Sequence, residues 1–550
     1  MRRQLKTVVG ILALLVWGVL PGGQALSDEI GRDGLYSVAE IAFEGPMQGP
    51  KDAPARDIDF WVRWRHESGS PEYKIYGFWD GDGKGGTSGN VFKVRFCLTK
   101  TGSWDLVEVY SNAEKLNRQK QGYQITAVAS DHPGFWIADP QSPSSRWYMR
   151  SDGSHPYIFG NTHYSFLSGY YTDGKLSGND IAADIEGNAK YFKKLRFSLY
   201  GDRYPNPDEK PFFDADGKLT DSGDDSLRPN PRWFSQRVDL AVRTALRHDL
   251  IADLILCGPD TKESRSVLRA ANNNGDPTPY LKYIAARYGS YPNVWICLCN
   301  EFDIKDPKYS EEEIARFGRI IRTYLPYPTP LSVHSSGRTG WPARFDELPA
   351  WNDHQIIQKK IRNLPDAADA IRQTWENPGD AGARNKPTVN DELSYEGQGD
   401  KHSELDTIES HLGAFLGGGY ATTGEKPGNK LGQYFRGCFN PAEHASADNL
   451  KYLREVIDRN VAFWRMSPGS GIFSNLDAGS RGLAWDGREY VLGTNKACKG
   501  IVADLPQGTW AVRLYDIVGK REQTLNLKAQ GRFTFDAPDS RAVLFHFKKN

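Results

Sequence analysis

Eight times between Tyr157 and Trp464 an apolar, β-branched segment is followed by a loop and a helical pattern, and this repeat constrains the fold more than any other feature. The segments are "PYIFGNTHY", "RFSLYGDR", "IADLILCGP", "NVWICLCNEF", "PLSVHSSG", "HQIIQKKI", "KPTVNDEL" and "GGYATTGE". Patterns such as "NDIAADIEGNAKYFKKL" and "SEEEIARFGRIIRTYL" supply the helices between them. Strand–helix–strand at this spacing requires parallel pairing, and eight units let the sheet close. The expected fold class is therefore α/β: a (β/α)8 TIM barrel over residues 148–465. The fifth and sixth strands carry the weakest signal. An open doubly wound sheet is the competing fold, but no glycine fingerprint follows the first strand, where such folds hold a nucleotide.

The flanks have a different rhythm. Residues 33–140 read as short strands between turns ("IDFWVRWRH", "YKIYGFWD", "NVFKVRFCL", "GSWDLVEVY"), which predicts an N-terminal β-sandwich. Its "DGDGKGGTSGN" segment has Lys84 and Val91 where a calcium loop needs oxygen ligands, so it reads as a turn. A Pro/Ser-rich stretch, "DPQSPSSRW", separates sandwich from barrel. Residues 466–550 return to strands and predict a C-terminal β-sandwich, read as a cap on the barrel ahead of a carbohydrate-binding module.

The first 25 residues are expected to be a cleaved signal peptide. Arg2, Arg3 and Lys6 precede an apolar run from Val8 to Leu20, and Gly23 and Ala25 are small enough for a signal peptidase. The mature protein is then secreted or periplasmic, without an integral membrane span; an uncleaved anchor is the alternative. Lys plus Arg number 69, as do Asp plus Glu, a balance that leaves no electrostatic footprint for nucleic acid. The six cysteines are too few for a disulfide framework, and Cys257, Cys297 and Cys299 read as buried thiols. No spacing of Cys and His suggests a metal site, and no cofactor is expected.

Barrel chemistry lies at the C-terminal ends of the strands. The polar residues there are His163 and Tyr164, then Asp202 and Arg203, Asp260, then Asn300, Glu301 and Asp303, His334, and Asn390, Asp391 and Glu392. Glycosidic cleavage needs two carboxyl groups across the barrel mouth, and strands four and seven supply them: Glu301 and Glu392 are the expected catalytic pair. Alternation sends Asp391 and Glu392 to opposite faces, so only one of them is expected to face the mouth, and Glu396 is the reserve choice for nucleophile. Expected substrate-binding residues are Asn300, His163, Tyr164, Asp202, Arg203, His334 and Tyr395. Core packing for the histidines and a rim ion pair for Asp202 and Arg203 are equally open. Trp233, Trp341 and Trp351 are candidates for stacking on sugar or for plain packing.

The order of "GFWDGDG…VFKVRF…GSWDL", "HPYIFGNTHYSFL", "NEFD" and a late glutamate resembles the exported, apiosidase-like glycoside hydrolases. The resemblance implies a barrel of the large retaining glycosidase clan, an N-terminal domain of unassigned role and a C-terminal domain similar to a collagen-binding module. It also implies that Glu301, after Asn300, is the acid/base, that Glu392 is the nucleophile, and that the partner is a poly- or oligosaccharide. A non-catalytic carbohydrate-binding or adhesion protein on the same scaffold is the rival reading.

Overall fold

A computed structural model describes residues 31–164, 167, 178–200, 209–258, 261–336, 351–376, 386–397, 401–425, 444–469 and 471–550. The barrel strands are β1 (Phe159–Thr162), β2 (Lys194–Ser198), β3 (Ile251–Ile255), β4 (Val294–Cys297), β5 (Leu331–Ser332), β6 (Gln355–Ile357), β7 (Thr388–Glu396) and β8 (Tyr420–Glu425). All pair in parallel, in the order β5-β4-β3-β2-β1-β8-β7-β6. This is the expected (β/α)8 fold. The two strands with the weakest sequence signal are the two that form no ladder with each other. In place of a ladder, Asp353 N–H donates to the Leu331 carbonyl (2.8 Å), and the Asp353 carboxylate accepts from Leu331 N–H (2.8 Å).

Helices α1 (Gly178–Ala189), α2 (Asp239–Arg247), α3 (Thr278–Tyr288), α4 (Glu311–Tyr324), α5 (Leu364–Glu376), α6 (Glu404–Leu416) and α7 (Ala447–Asn460) coincide with the helical patterns. Two of them start where the sequence caps them. Ser310 accepts from Glu313 N–H while Glu313 reaches back to Ser310 N–H, and Ser403 and Asp406 repeat the exchange at α6.

The Pro/Ser-rich stretch is the turn of a hairpin, Trp136–Ala138 with Tyr148–Arg150, and not an open linker. Trp136, Trp147 and Tyr148 pack with Trp295 and Tyr420 near the N-terminal ends of the strands, closing the floor of the barrel. With its floor sealed by aromatic rings, the barrel opens at the C-terminal ends of its strands.

Each flank is a two-sheet structure. The N-terminal one pairs a five-stranded sheet with a three-stranded sheet, and Trp64 stacks on Phe96 between them (4.7 Å). It is bolted to α2 and α3 by buried charge: Arg95 and Arg287 both grip Asp239, and Arg287 also donates to Asp80 (2.9 Å). In the glycine-rich segment Asp82 accepts from Lys84 N–H and Gly86 N–H, the geometry of a side-chain-stabilised turn. The C-terminal sheets, of six and three strands, lie along α5 and α6. Gly493 presses there on Leu416, where a Cβ would meet the leucine at 2.2 Å. Arg481 and Arg541 pair with Asp369 and Glu409 at the same seam. Among the described residues this β-region packs on the outer helices. Among the described residues no helix is long and apolar enough to cross a membrane; the expected signal peptide lies outside them.

Candidate active site

The site begins with Arg196, a buried cation in the middle of β2. Its guanidinium donates to the Tyr164 hydroxyl (2.9 Å) and to Asn300 Oδ1, and stands 3.9 Å from Glu392 Oε1 and 3.8 Å from Asp391 Oδ2. One rigid fork thus ties together the ends of β1, β4 and β7. Tyr164 donates in turn to Glu392 Oε1 (2.6 Å), and the Tyr395 hydroxyl lies 3.1 Å from that of Tyr164.

Asp391 and Glu392 both reach Arg196, contrary to the alternation expected of a strand. The cause is a register shift. Asn390 pairs with Ala421 and Ser394 with Thr423, so β7 carries extra residues that β8 does not match. Asp391 sits deeper, bonded to Lys194 and to the Thr422 hydroxyl (2.7 Å), with Lys194 also 3.1 Å from Asp253. Burial works against its charge, yet Lys194 and Arg196 hold its carboxyl well below the usual range. Burial pushes the Glu392 carboxyl above the ordinary glutamate value. Arg196 pulls it back, the charge of Glu301 pushes it up, and the bond from Tyr164 pulls it down.

Glu301 follows β4 with φ at +47°, a left-handed conformation that a non-glycine residue keeps only when its surroundings enforce it. The buried Arg265 supplies the enforcement. Its guanidinium donates to the carbonyls of Asn300 (2.9 Å), Glu301 (3.4 Å), Phe302 (3.4 Å) and Pro307 (3.1 Å). Asp303 fastens the same loop to Ser336 after β5 (2.9 and 3.0 Å). Lys305 Nζ lies 3.7 Å from the Glu301 carboxylate.

Gln358, just past β6, joins the two glutamates. Its Nε2 donates to Glu301 Oε1 (2.7 Å) and to Glu392 Oε2 (3.0 Å). The two oxygens can be no further apart than these bonds laid end to end. His334 lies below them, its Nδ1 against Asn300 Oδ1 and 3.8 Å from Glu392. Burial and the neighbouring Arg196 push its imidazole well below the usual histidine value, and its Nδ1 lies 2.9 Å from the Arg196 guanidinium as well as against Asn300 Oδ1. Its Nε2 is buried without a hydrogen-bond partner.

The structure thus brings Asn300, Glu301, Glu392, Tyr164, His334 and Tyr395 together. His163 points elsewhere: its described partners are Asp184 of α1 (2.7 Å) and Asn161 (3.4 Å), because neighbours at a strand end face opposite sides. Glu396 is turned to the start of α7, bonded to His444 (3.1 Å) and to Ser446 N–H (3.2 Å). Trp233 and Trp351 are buried, which excludes them as a stacking surface. Asp202, Arg203, Asp260 and Trp341 lie outside the described residues. Cys257, Cys297 and Cys299 are buried, with the Cys257 and Cys299 sulfurs 3.0 Å apart.

Sequence reasoning missed Arg196, Arg265 and Gln358. For two of them a signal existed. Lys194 and Arg196 alternate in an otherwise apolar strand, and Gln358 follows an apolar strand as Asn300 does. For Arg265, on a short helix after β3, no local pattern marks the role.

Residues 200–412 match the family model described as apiosidase-like, catalytic domain, a span that contains Glu301 and Glu392. Residues 34–110 match a domain of unknown function, DUF5060. The search of curated proteins finds no match. Among solved structures, a candidate glycoside hydrolase from Bacteroides vulgatus superposes with TM-score 0.71 at 19% identity, covering 94% of this chain and 100% of its own. A glycoside hydrolase family 5 protein from Bacteroides vulgatus gives TM-score 0.58 at 12% identity over 76% of this chain and 94% of its own. Another protein, described as a glycoside hydrolase, gives 0.58 at 13% identity over 76% and 97%. At these identities the likeness to solved structures is one of fold.

Proposed function

We propose, from the premise that this chain carries an apiosidase-like catalytic domain and is a glycosidase, that it cleaves O-glycosidic bonds of an extracellular poly- or oligosaccharide with retention of configuration. The observation that carries this reading is the single Gln358 nitrogen bonded to both Glu301 and Glu392. Inverting enzymes separate their carboxyl groups by about 6.5–9.5 Å to admit a water, whereas retaining pairs stand about 5 Å apart. Two bonds of 2.7 and 3.0 Å to one atom keep these two oxygens closer than the lower limit of about 6.5 Å for inversion, which supports the retaining reading.

Glu301, the more open of the two, protonates the glycosidic oxygen as the bond from the anomeric carbon breaks. Glu392 attacks that carbon and forms a glycosyl ester. Water, giving its proton to Glu301, then attacks the same carbon and releases Glu392 as carboxylate. Arg196 and Tyr164 favour the ionised form of Glu392 that this role needs, whereas the bonds of Glu396 to His444 and Ser446 leave it a structural part. Asn300, Tyr164 and Tyr395 are the polar groups that line the two glutamates on the sugar side. The signal-like first 25 residues support export, so the exported protein begins near Leu26 when its N-terminus is sequenced.

A panel of plant and algal polysaccharides, assayed for released reducing sugar, tests the proposal. Release by the native protein, lost in Glu301→Gln and Glu392→Gln, supports it. Binding without release would favour the non-catalytic rival.

A further inference from the structure

The space between a glycosidase's acid and its nucleophile belongs to the substrate: the glycosidic oxygen lies against one carboxyl and the anomeric carbon against the other. Here that space is taken. Gln358 Nε2 stands 2.7 Å from Glu301 and 3.0 Å from Glu392, so its two hydrogens go one to each carboxylate. We infer that Gln358 is a gate: in the free protein its carboxamide fills the reaction centre, and a sugar must turn it out before a glycosidic bond can take its place. The inference rests on the reading of Glu301 and Glu392 as the catalytic pair.

Three observations bear on how the gate works. The carboxamide is held at one end only, since Gln358 Oε1 is buried and has no hydrogen-bond partner. The main chain beside it is fixed. Lys359 N–H donates to Asn390 Oδ1 (3.3 Å) and the Lys359 carbonyl accepts from Asn390 Nδ2 (2.8 Å), so β7 anchors the backbone while the side chain rotates about its own bonds. Finally, the amide is the one described donor that touches both glutamates. Gln358 is in this sense a positioning residue: it holds the two side chains in place until a substrate arrives, and makes no contact with either carboxyl group once the gate is open.

Kinetics with the 4-nitrophenyl glycoside cleaved fastest in a panel of such compounds separate this role from a structural one. A gate open in about one molecule in ten weakens apparent affinity about tenfold, so Gln358→Ala lowers KM by that order and leaves kcat within about twofold. The acid limb of kcat/KM, which reports the free enzyme, moves to higher pH because a donor to Glu392 is lost. The acid limb of kcat, which reports the bound complex, stays where it was. An unchanged or higher KM, or a shift of both limbs together, overturns the gate. A second measurement needs no substrate. Labelling by a water-soluble carbodiimide and glycine ethyl ester, mapped by mass spectrometry, is faster at Glu301 and Glu392 in Gln358→Ala and in Gln358→Ser than in the native protein; equal rates overturn the gate. Glu301→Gln and Glu392→Gln run in the same kinetic assay keep the two readings apart. If they stay active, the catalytic assignment fails; if they are inactive and the Gln358 variants behave otherwise, the gate alone fails.

Discussion

Arg265 donates to the main-chain oxygen of Asn300 at 2.9 Å, from a short helix that belongs to the preceding strand–helix unit. The same guanidinium reaches the carbonyls of Glu301, Phe302 and Pro307, so one side chain sets the shape of the loop that presents the proposed acid. Lysine offers a single flexible ammonium in place of this planar fork. Arg265→Lys therefore keeps the charge and loses the geometry. A displacement of about 1 Å at a catalytic group costs roughly a hundredfold in rate. Activity is expected to fall by that order with the far-UV circular dichroism spectrum unchanged. Native activity in Arg265→Lys would show that Glu301 keeps its left-handed conformation without the fork.

Tyr164 adds to what burial, Arg196 and Glu301 do to the acidity of Glu392. Its bond to Oε1 stabilises the carboxylate and lowers a value that burial raises. A nucleophile must be ionised, so activity is lost on the acid side as Glu392 takes up a proton. Tyr164→Phe removes the donor, raises the carboxyl further and moves the acid limb of kcat/KM to higher pH. Loss of one charge-assisted bond costs about 1.5–3 kcal/mol, a visible fall in rate at the acid end of the profile. A limb that stays in place would detach Tyr164 from the nucleophile.

The seam between the N-terminal sheets and the barrel is electrostatic. Asp239 lies buried between Arg95 and Arg287, and removing its charge leaves these buried cations only Glu40 and Asp80 as carboxylate partners, at a cost of about 3–5 kcal/mol. Asp239→Asn is expected to lower the midpoint of urea unfolding accordingly. Glu40, at the same seam, is partly buried, but Arg95, Lys93 and Arg243 hold its carboxyl down at about 2, against 4.5 for an ordinary glutamate. A depressed carboxyl contributes stability above its unfolded value and loses it as pH falls through its folded one. Stability from Glu40 is thus complete above about pH 4.5 and fades towards pH 2. An acid unfolding series on Glu40→Gln should lack this part of the decline.

The sequence carried the barrel because hydrophobic rhythm is local: an apolar run and an amphipathic helix declare themselves within a dozen residues. Strands β5 and β6, two and three residues long, left the faintest trace for the same reason. The two candidate acids were legible too, since an acid that closes an apolar run has no packing role: Glu301 follows β4, and Glu392 lies within β7. What stayed hidden is long-range. Arg196 contacts the ends of three other strands, Arg265 a loop some 35 residues ahead, and Gln358 two acids 57 and 34 residues away. Alternation misplaced Asp391 because the pairing of β7 slips between Asn390 and Ser394, and a slip is a property of two strands, not of one.

In the proposed mechanism Glu392 forms the bond to sugar and Glu301 handles the proton. This assignment is tested most directly by the anomeric configuration of the glycosyl azide that Glu392→Ala makes when azide is added to an aryl glycoside with an acidic phenol. Without its nucleophile the variant is inactive alone. Azide then enters from the vacated side in a single displacement, with Glu301 still present, and the account predicts a product of inverted configuration by proton NMR. A retained azide would mean that the two roles are exchanged, and near-native hydrolysis without azide would contradict Glu392 as the nucleophile.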